Sequence, residues 1–338
     1  MSKVVVIVPN WNGSGHLSAC LDSLVKQSLK PHIIVVDNGS TDGSLERLKN
    51  YPEIEVIKHA KNRGYAGGVN PGFQRAIDLG ATFAAPFNND AVADEQWLEK
   101  LVNYLEAHET VGIAACKLLT SDGKRLDSSG DYYTVWGLPY PRGRSEAAID
   151  AYDAHTDIFG ASGGASLYRV AMLEEIGLLD EDFFAYYEDV DISFRAQLAG
   201  WKVAYVPEAI ARHAIGGTSG RIKGFTTYQT VKNLPMLFIK NVPRQYLWRI
   251  GWRLLLAETL FLGRAVLSGH GWAALKGKLR CLYLFSANLN KRRRIQAAKK
   301  VSNEYIWSML IHDLPPNARA LRRLREAWWK LTRKKEST

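Results

Sequence analysis

Cysteine is scarce in this chain of 338 residues, and its three cysteines, Cys20, Cys116 and Cys281, lie far apart. An odd number at such spacing argues against a disulfide framework and matches no zinc-binding pattern, so it favours a reducing compartment. Long apolar runs are missing as well. The run Val4–Val8 turns polar too soon for a signal peptide. The uncharged run Thr259–Gly263 is far shorter than the roughly 20 residues of a transmembrane helix.

Acidic residues are nearly absent from the last third of the chain. Residues 1–220 carry 19 Lys and Arg against 29 Asp and Glu, a net charge of −10, whereas residues 221–338 carry 25 against 5, a net charge of +20. Such a basic region indicates an anionic partner, for example phospholipid, a phosphorylated substrate or nucleic acid. We therefore predict two parts, an acidic domain over residues 1–220 and a basic, amphipathic helical region over residues 221–338 that associates with a membrane.

Strands and helices alternate along the first hundred residues. Buried, mostly β-branched runs predict four strands, at Val4–Val8, Ile33–Val36, Ile54–Ile57 and Thr82–Phe87. Leucines at helical spacing after the first strand and the stretch Ser44–Leu48 predict helices between them. This alternation predicts an α/β fold with a doubly wound, mostly parallel, Rossmann-like sheet, whose ligands bind at the carboxyl ends of the strands.

Two segments are less regular. Residues 62–70 are rich in glycine, so that backbone can approach a ligand, but no Gly-Lys-Ser/Thr follows and the segment is not a Walker A loop. We expect a helix over Gly72–Leu79 with Pro71 in its opening turn. Residues 121–157 lack clear periodicity and predict a long loop or an irregular hairpin beside a ligand.

Polar side chains follow two of the predicted strands. Asp37 ends the second strand, where it can accept a hydrogen bond from a nucleobase or ribose, or cap the next helix. Asn88, Asn89 and Asp90 end the fourth strand and suit either a divalent cation bound mainly by substrate phosphates or an Asx-rich turn. His213 can serve that cation or a phosphate, or be structural.

Three carboxylates, Glu188, Asp189 and Asp191, follow the apolar and aromatic run Phe183–Tyr187. Placing carboxylates together among aromatic side chains costs free energy, because the charges repel and are poorly solvated. Such a cluster indicates a base, a metal ligand or a helix N-terminus. Asp191 precedes Arg195 by four residues, which favours a helix start with an ion pair.

These motifs, taken together and in this order, resemble those of the inverting glycosyltransferases of family 2, which have the GT-A fold. The resemblance covers roughly residues 3–220 and is nearest to rhamnosyltransferase-like members. It rests on Val-Pro-Asn-Trp-Asn at 8–12, Val-Asp-Asn-Gly-Ser-Thr-Asp at 36–42, Asn-Arg-Gly at 62–64, Asn-Asn-Asp at 88–90, and the stretch 188–213. It implies that residues 1–115 bind a nucleotide sugar and that residues 116–220 face the acceptor.

The resemblance also implies roles for single residues on the donor side. Asp37 matches the residue that reads the base. The other implied donor-binding residues are Pro9, Asn10, Asn12, Asn38, Asn62, Arg63, Gly64, Asn88, Asn89, Gly163 and Gly164.

For the metal and the chemistry, the resemblance implies four further residues. Asp90 and His213 match ligands of a divalent cation, Mn²⁺ or Mg²⁺, or of the diphosphate. Asn88 replaces the first acid of the family's metal motif, which puts obligatory metal binding in question. Asp189 matches the catalytic base, and Glu188 is the second candidate.

We therefore expect a cytoplasmic enzyme, peripheral on the inner face of the cell membrane. It would transfer sugar from a nucleoside-diphosphate donor, dTDP-L-rhamnose as first choice, to a lipid-linked or polysaccharide acceptor. A sugar-phosphate nucleotidyltransferase is the enzymatic alternative, but the first loop, residues 9–15, has no Lys or Arg. A nucleic-acid-binding protein, prompted by Lys291–Arg294, leaves the acidic domain unexplained, so we expect no nucleic acid. Asn88 also leaves open a catalytically silent scaffold.

The last predicted helix is basic and amphipathic. Leu321, Leu324, Trp328 and Leu331 fall on one side, and most of the Lys and Arg residues fall on the other. This pattern is typical of a helix in a membrane interface and equally of a surface helix packed on its own domain.

Overall fold

A computed structural model describes residues 2–147, 149–214, 222–316, 318 and 321–322. The strands of this part are β1 (Val4–Asn10), β2 (His32–Asp37), β3 (Glu55–Lys58), β4 (Phe83–Pro86), β5 (Ala91–Ala93), β6 (Val111–Thr120), β7 (Leu126–Ser128), β8 (Asp131–Tyr133), β9 (Pro139–Pro141), β10 (Ser166–Arg169) and β11 (Lys202–His213). Its helices are α1 (Ser14–Val25), α2 (Ser44–Leu48), α3 (Gly64–Asp78), α4 (Trp97–Ala107), α5 (Val170–Ile176), α6 (Glu188–Leu198), α7 (Phe225–Asn241), α8 (Leu247–Leu267), α9 (Gly271–Tyr283), α10 (Phe285–Ala297) and α11 (Asn303–Met309).

The main sheet has the strand order β3-β2-β1-β4-β10-β6-β11-β5, and β7 pairs with β6. Pairing is parallel among β1 to β4 and between β6 and β11, whereas β10 and β5 run antiparallel to their neighbours. The predicted mostly parallel, doubly wound sheet is confirmed. Its register sets Asn10 opposite Asp37, so the carboxyl ends of β1 and β2 meet at one edge.

The first strand is apolar throughout because both of its faces are covered. Val4, Val6 and Val8 pack in one core with α1, while Val5 and Ile7 pack in a second core with α3. Alternate residues of a strand point to opposite faces, so two helical layers require a continuous apolar run instead of an alternating one.

Helix α3 starts earlier than predicted, at Gly64, and Pro71 lies inside it. The expectation of a loop followed by a helix from Gly72 was therefore wrong. A proline inside a helix cannot donate to the carbonyl four residues back, here that of Gly67. Nε2 of His59 lies 3.2 Å from this carbonyl oxygen and takes up the unmade hydrogen bond. The glycines also serve packing, since a Cβ on Gly72 would lie 2.4 Å from the side chain of Ile7.

Residues 121–157 contain short strands, and β8 and β9 pair as a hairpin, one of the two alternatives predicted for this segment. Helices α7 to α11 follow, as the basic region suggested. Among the described residues, no helix is long and apolar enough to cross a membrane. The predicted boundary at residue 220 and most of the predicted terminal helix lie outside the described residues.

Candidate functional site

The carboxyl ends of β1 and β2 bring two predicted donor residues together. Nδ2 of Asn10 donates to Oδ1 of Asp37 at 3.1 Å, and the backbone N–H of Ser40 donates to Oδ2 of Asp37 at 3.1 Å. Asn12 has a positive φ of 51°, and its Oδ1 accepts from the backbone N–H of Thr41 at 2.8 Å. The first two polar loops are thus bonded to each other around the Asp37 carboxylate.

Asn38 organises the turn at residues 62–64. Its side-chain amide donates to Oδ1 of Asn62 at 3.1 Å and to the carbonyl of Gly64 at 2.8 Å, and its Oδ1 accepts from the backbone N–H of Arg63 at 2.9 Å. The Arg63 guanidinium instead reaches Glu181 at 2.7 Å, with both side chains more than 40 % exposed. In the structure, the charge of Arg63 is therefore directed to a surface ion pair.

The segment after β4 connects three parts of the edge. Nδ2 of Asn89 donates to Oδ1 of Asn10 at 2.7 Å, and the backbone N–H of Asn88 donates to the carbonyl of Gly164 at 2.9 Å. A Cβ on Gly164 would lie 3.1 Å from Nδ2 of Asn88, so a larger residue here would press on that side chain. Pro9 lies just inside the edge, where a Cβ on Gly68 of α3 would come within 3.3 Å of its ring.

His213 lies between two carboxylates. Its Nε2 is 3.1 Å from Oδ1 of Asp90, and its Nδ1 is 2.8 Å from Oδ2 of Asp127, whose Oδ1 accepts from Arg144 at 2.6 Å. Burial alone would lower the pKa of His213, but the hydrogen bonds to Asp127 and Asp90 outweigh it and raise the pKa to about 9. Sequence reasoning paired His213 with Asp90 and missed Asp127, which lies 86 residues away from the histidine along the chain.

Asp189 lies in the first turn of α6. Its Oδ2 accepts from the backbone N–H of Gly163 at 3.1 Å, and its Oδ1 accepts from the backbone N–H of Val190 at 2.9 Å. The Gly163–Gly164 segment is thus bonded to Asp189 at one residue and to Asn88 at the next. Two sites predicted from distant motifs, one for a base and one for a diphosphate, adjoin this short glycine segment.

Three carboxyls in this region are buried together. Burial, followed by the charge of Asp189, raises the pKa of Glu188 to about 8 and that of Asp131 to about 8. Burial also raises the pKa of Asp189, against the lowering effect of its backbone hydrogen bonds. Oε2 of Glu188 has no hydrogen-bond partner among the described residues. Asp131 was missed because nothing in residues 121–157 distinguishes it from other loop acids.

The backbone before Glu188 adopts an unfavourable conformation. Phe184, Tyr186 and Tyr187 have positive φ values of 64°, 69° and 72°, a region that costs a non-glycine residue on the order of 1 kcal/mol. The side-chain amide of Asn233 in α7 donates to three carbonyls of this segment at 2.8 to 3.1 Å. The ammonium of Lys232 donates to two carbonyls at its start. Helix α7 therefore holds the segment that carries Glu188 and Asp189.

Asp191 has the supporting role predicted for it. Its Oδ2 accepts from Nε of Arg195 at 3.0 Å, and its Oδ1 contacts Lys240 at 2.8 Å and Asn241 at 2.8 Å. The opposite charges outweigh the effect of burial, so the pKa of Asp191 is lowered. Lys240 and Asn241 belong to α7, which sequence reasoning did not connect with this acid.

A divalent cation is compatible with this edge of the sheet. Asp90 and His213 face each other there, one carboxylate and one imidazole, which suits a cation that completes its shell with ligand oxygens. Within the described ranges, no group of three or more His, Cys, Asp and Glu side chains forms a self-contained metal site. The donor set thus fits a metal that is held jointly with an anionic ligand.

The sheet order and the polar edge define a GT-A glycosyltransferase. Residues 5–177, just over half of the chain, match the model of Glycosyl transferase family 2, and the chain belongs to this family. Site residues after 177, including Asp189 and His213, lie beyond that match.

Similar proteins of known name include two rhamnosyltransferases. The N-acetylglucosaminyl-diphospho-decaprenol L-rhamnosyltransferase of Mycobacterium tuberculosis is 26% identical over 237 residues, 64% of this chain and 77% of that protein. The dTDP-rhamnosyl transferase RfbF of Shigella flexneri is 22% identical over 249 residues, 71% and 81% of the two chains. The mannosyltransferase PcManGT of Pyrobaculum calidifontis, solved with GDP-Man and Mn²⁺, has a TM-score of 0.52 at 19% identity, over 91% of this chain and 88% of that one. This structural likeness supports the fold.

Proposed function

We propose that this chain is an inverting glycosyltransferase that moves a sugar from a nucleoside diphosphate, dTDP-L-rhamnose as first choice, to a lipid-linked or polysaccharide acceptor. The observation that carries this proposal is the Gly163–Gly164 segment, bonded to Asp189 on one side and to Asn88, beside Asp90, on the other. The similarity to the two rhamnosyltransferases supports rhamnose as the sugar and, from the name of the mycobacterial one, a lipid diphosphate as the acceptor.

Asp189 is the proposed base. As the acceptor oxygen bonds to the anomeric carbon, its proton passes to the Asp189 carboxylate, while the bond from that carbon to the diphosphate oxygen breaks. The raised pKa of Asp189 makes it a stronger base than an exposed aspartate. Glu188, with its pKa near 8, stays protonated at neutral pH, which spares Asp189 a second adjacent charge.

The donor lies, in this proposal, along the edge formed by the first four strands. Asp37, with Pro9, Asn10 and Asn12 near it, binds the nucleoside, and the turn held by Asn38 closes that side. Asp90 and His213 would hold Mn²⁺ or Mg²⁺, which, when bound, offsets the charge of the leaving diphosphate.

The proposed location is the cytoplasmic face of the cell membrane. The net charge of +20 after residue 220 supports it, because each basic residue near an anionic leaflet contributes about 1 kcal/mol. A lipid-linked acceptor would place the substrate at the same surface.

Replacing Asp189 with Asn tests the central assignment. We expect transfer to fall roughly 10²- to 10⁴-fold, because the acceptor proton loses its base. The affinity for dTDP, measured by thermal shift with Mn²⁺, should stay the same. Asp78→Asn, on the surface of α3, is the matched control, and Glu188→Gln in parallel tests the second candidate. Turnover of Asp189→Asn at the wild-type rate would refute Asp189 as the base.

A further inference from the structure

Helix α8 exposes large apolar side chains along one face. Trp248 is 81% exposed and Leu267 is 90% exposed, and Trp252, Leu255 and Val266 are exposed with them. At about 100° per residue these five positions fall within about 120° of one another. The buried residues of this helix lie on the other side: Ile250, Leu254, Ala257 and Ala265. Helix α8 therefore packs one side against the protein and exposes an apolar face on the other.

Helix α9 repeats the arrangement. Its exposed apolar residues are Trp272, Leu275, Leu279, Leu282 and Tyr283, and these fall within about 100° of one another on the helix. Its buried residues, Ala274, Gly277 and Cys281, face the opposite way. Two helices that contact each other thus present apolar outer faces of the same kind, whereas a soluble monomer rarely exposes more than a few hundred Å² of contiguous apolar surface.

Positive charge borders both faces. Arg249, Arg253 and Arg264 lie at about 100° to 160° from Trp248 around α8, at the edge of its apolar face. On α9, Nζ of Lys276 lies 5.3 Å from the Trp272 ring centre, and the Arg280 guanidinium carbon lies 4.7 Å from that of Tyr283.

Negative charge is almost missing from this surface. Glu258 is the single acid of residues 247–283. It is largely buried and pairs with Lys278 at 2.7 Å. The rim of the apolar surface therefore carries one sign of charge.

We propose that the exposed apolar residues of α8 and α9 form a docking face that inserts into the interface of an anionic phospholipid bilayer. The docking face consists of Trp248, Trp252, Leu255, Val266 and Leu267 of α8 and of Trp272, Leu275, Leu279, Leu282 and Tyr283 of α9. Apolar side chains with Trp and Tyr enter the boundary between head groups and acyl chains, while Lys and Arg at the rim pair with lipid phosphates. A protein partner would need acidic groups matched to each cation, whereas an anionic leaflet offers them everywhere.

The start of α7 links α9 to the segment before Glu188. The ring of Tyr186, two residues before Glu188, lies 6.0 Å from that of Phe225 at the start of α7. The neighbouring Gly224 packs on α9, where a Cβ on it would meet Cβ of Ala273 at 3.0 Å. This step rests on the proposed function. It makes the acceptor a lipid-anchored sugar that is held in the same leaflet as the docking face.

Vesicle co-sedimentation of the full chain tests the docking face. The apolar variant is Trp248→Ser with Leu255→Ser and Leu279→Ser, and its matched control is Val25→Ser with Val92→Ser, two exposed apolar positions of the N-terminal body. We expect the wild type and the control to bind vesicles of phosphatidylcholine with phosphatidylglycerol, and the apolar variant to bind at least about tenfold more weakly, at low and high salt alike. Equal binding of the apolar variant and the wild type would overturn the proposal.

Two further measurements test the role of the positive charges and the possibility of self-association. Arg249→Gln with Arg253→Gln and Arg264→Gln should lose the preference for phosphatidylglycerol over phosphatidylcholine. The wild type could fail to bind vesicles and instead form a dimer that the serine substitutions dissociate. In that case the face binds a second copy of the chain, and the proposal is refuted. Stabilisation by dTDP and Mn²⁺ without vesicles should be equal in all variants. Its absence even in the wild type would refute the proposed function and leave the docking face standing.

Discussion

The N-terminal body and the C-terminal helices use charge and apolar surface in opposite ways. In the body, carboxylates such as Asp37 and Asp127 are buried at the sheet edge and held by hydrogen bonds, and the half-buried Asp189 is held in the same way. In α8 and α9, apolar side chains are outside and cations surround them. The body concentrates its buried charge in a polar site, whereas these helices leave their apolar side chains uncovered, which a soluble domain normally avoids.

Helix α7 does not fit either description, because it belongs to the basic region in sequence and to the site in space. Lys232 and Asn233 bind the strained segment before Glu188, and Lys240 contacts Asp191 and Asp180. The two regions are therefore joined through buried polar contacts, and each of the following substitutions tests one side of the contrast or the link between them.

The largest effect is expected for Lys240→Met. This ammonium contacts two carboxylates, Asp180 and Asp191, which without it keep only Lys291 and Arg195 as cationic partners. Breaking this buried network should lower the free energy of unfolding by about 3 kcal/mol. Lys49→Met, which breaks an exposed pair with Glu46, is the control and should cost less than about 1 kcal/mol. Urea denaturation measures both. Equal losses would show that α7 is not fastened to the body by this contact.

Asp127→Asn should weaken Mn²⁺ binding about 10- to 100-fold, because a carboxylate behind a metal-ligating histidine orients it and raises its basicity. Titration calorimetry or electron paramagnetic resonance of Mn²⁺ in the presence of dTDP measures this without reference to turnover. Asp122→Asn, in the exposed turn after β6, is the control. Unchanged Mn²⁺ affinity in Asp127→Asn would show that His213 does not bind the metal.

Asn233→Ala should reduce kcat about tenfold, equivalent to roughly 1.4 kcal/mol, with little change in donor KM. The substitution removes this donor from the carbonyls of Ala185 and Tyr186, while that of Phe183 keeps Lys232. The loosened segment positions Asp189, so the base is misplaced while the donor edge is intact. Asn303→Ala, at the start of α11, serves as control. Should donor KM change as much as kcat, the segment would serve binding as well as chemistry.

The last effect is a slope of stability with pH. Glu188 has its folded-state pKa raised to about 8, so the unfolded chain releases this proton first and stability falls as pH rises from about 4.5 to 8. Glu188→Gln should remove a slope of at most about 1.4 kcal/mol per pH unit. Urea denaturation from pH 5 to 8 measures the difference between the two proteins. The comparison with the wild type matters, since His213, with its pKa raised to about 9, also loses stabilising charge above pH 6.5.

Much of the donor edge could be predicted because its residues end strands. Asp37 is the last residue of β2, and Asp90 lies a few residues beyond the end of β4. Parallel strands bring such ends together at one edge of the sheet. Helix α3 could not be predicted in the same way. Its start at Gly64 depends on Asn38, and its tolerance of Pro71 depends on His59, a residue outside the helix.

The sequence by itself determined the class of fold, the family motifs and the division of charge, because strand periodicity, turn residues and net charge are local properties of the chain. Only the tertiary structure decided that Asp127 and Asp131 join the site, that Asn233 supports the segment before Glu188, and that no described residue covers the outer faces of α8 and α9. These facts depend on contacts between residues distant in the chain, and on which side of a helix finds a partner, neither of which is encoded by spacing alone.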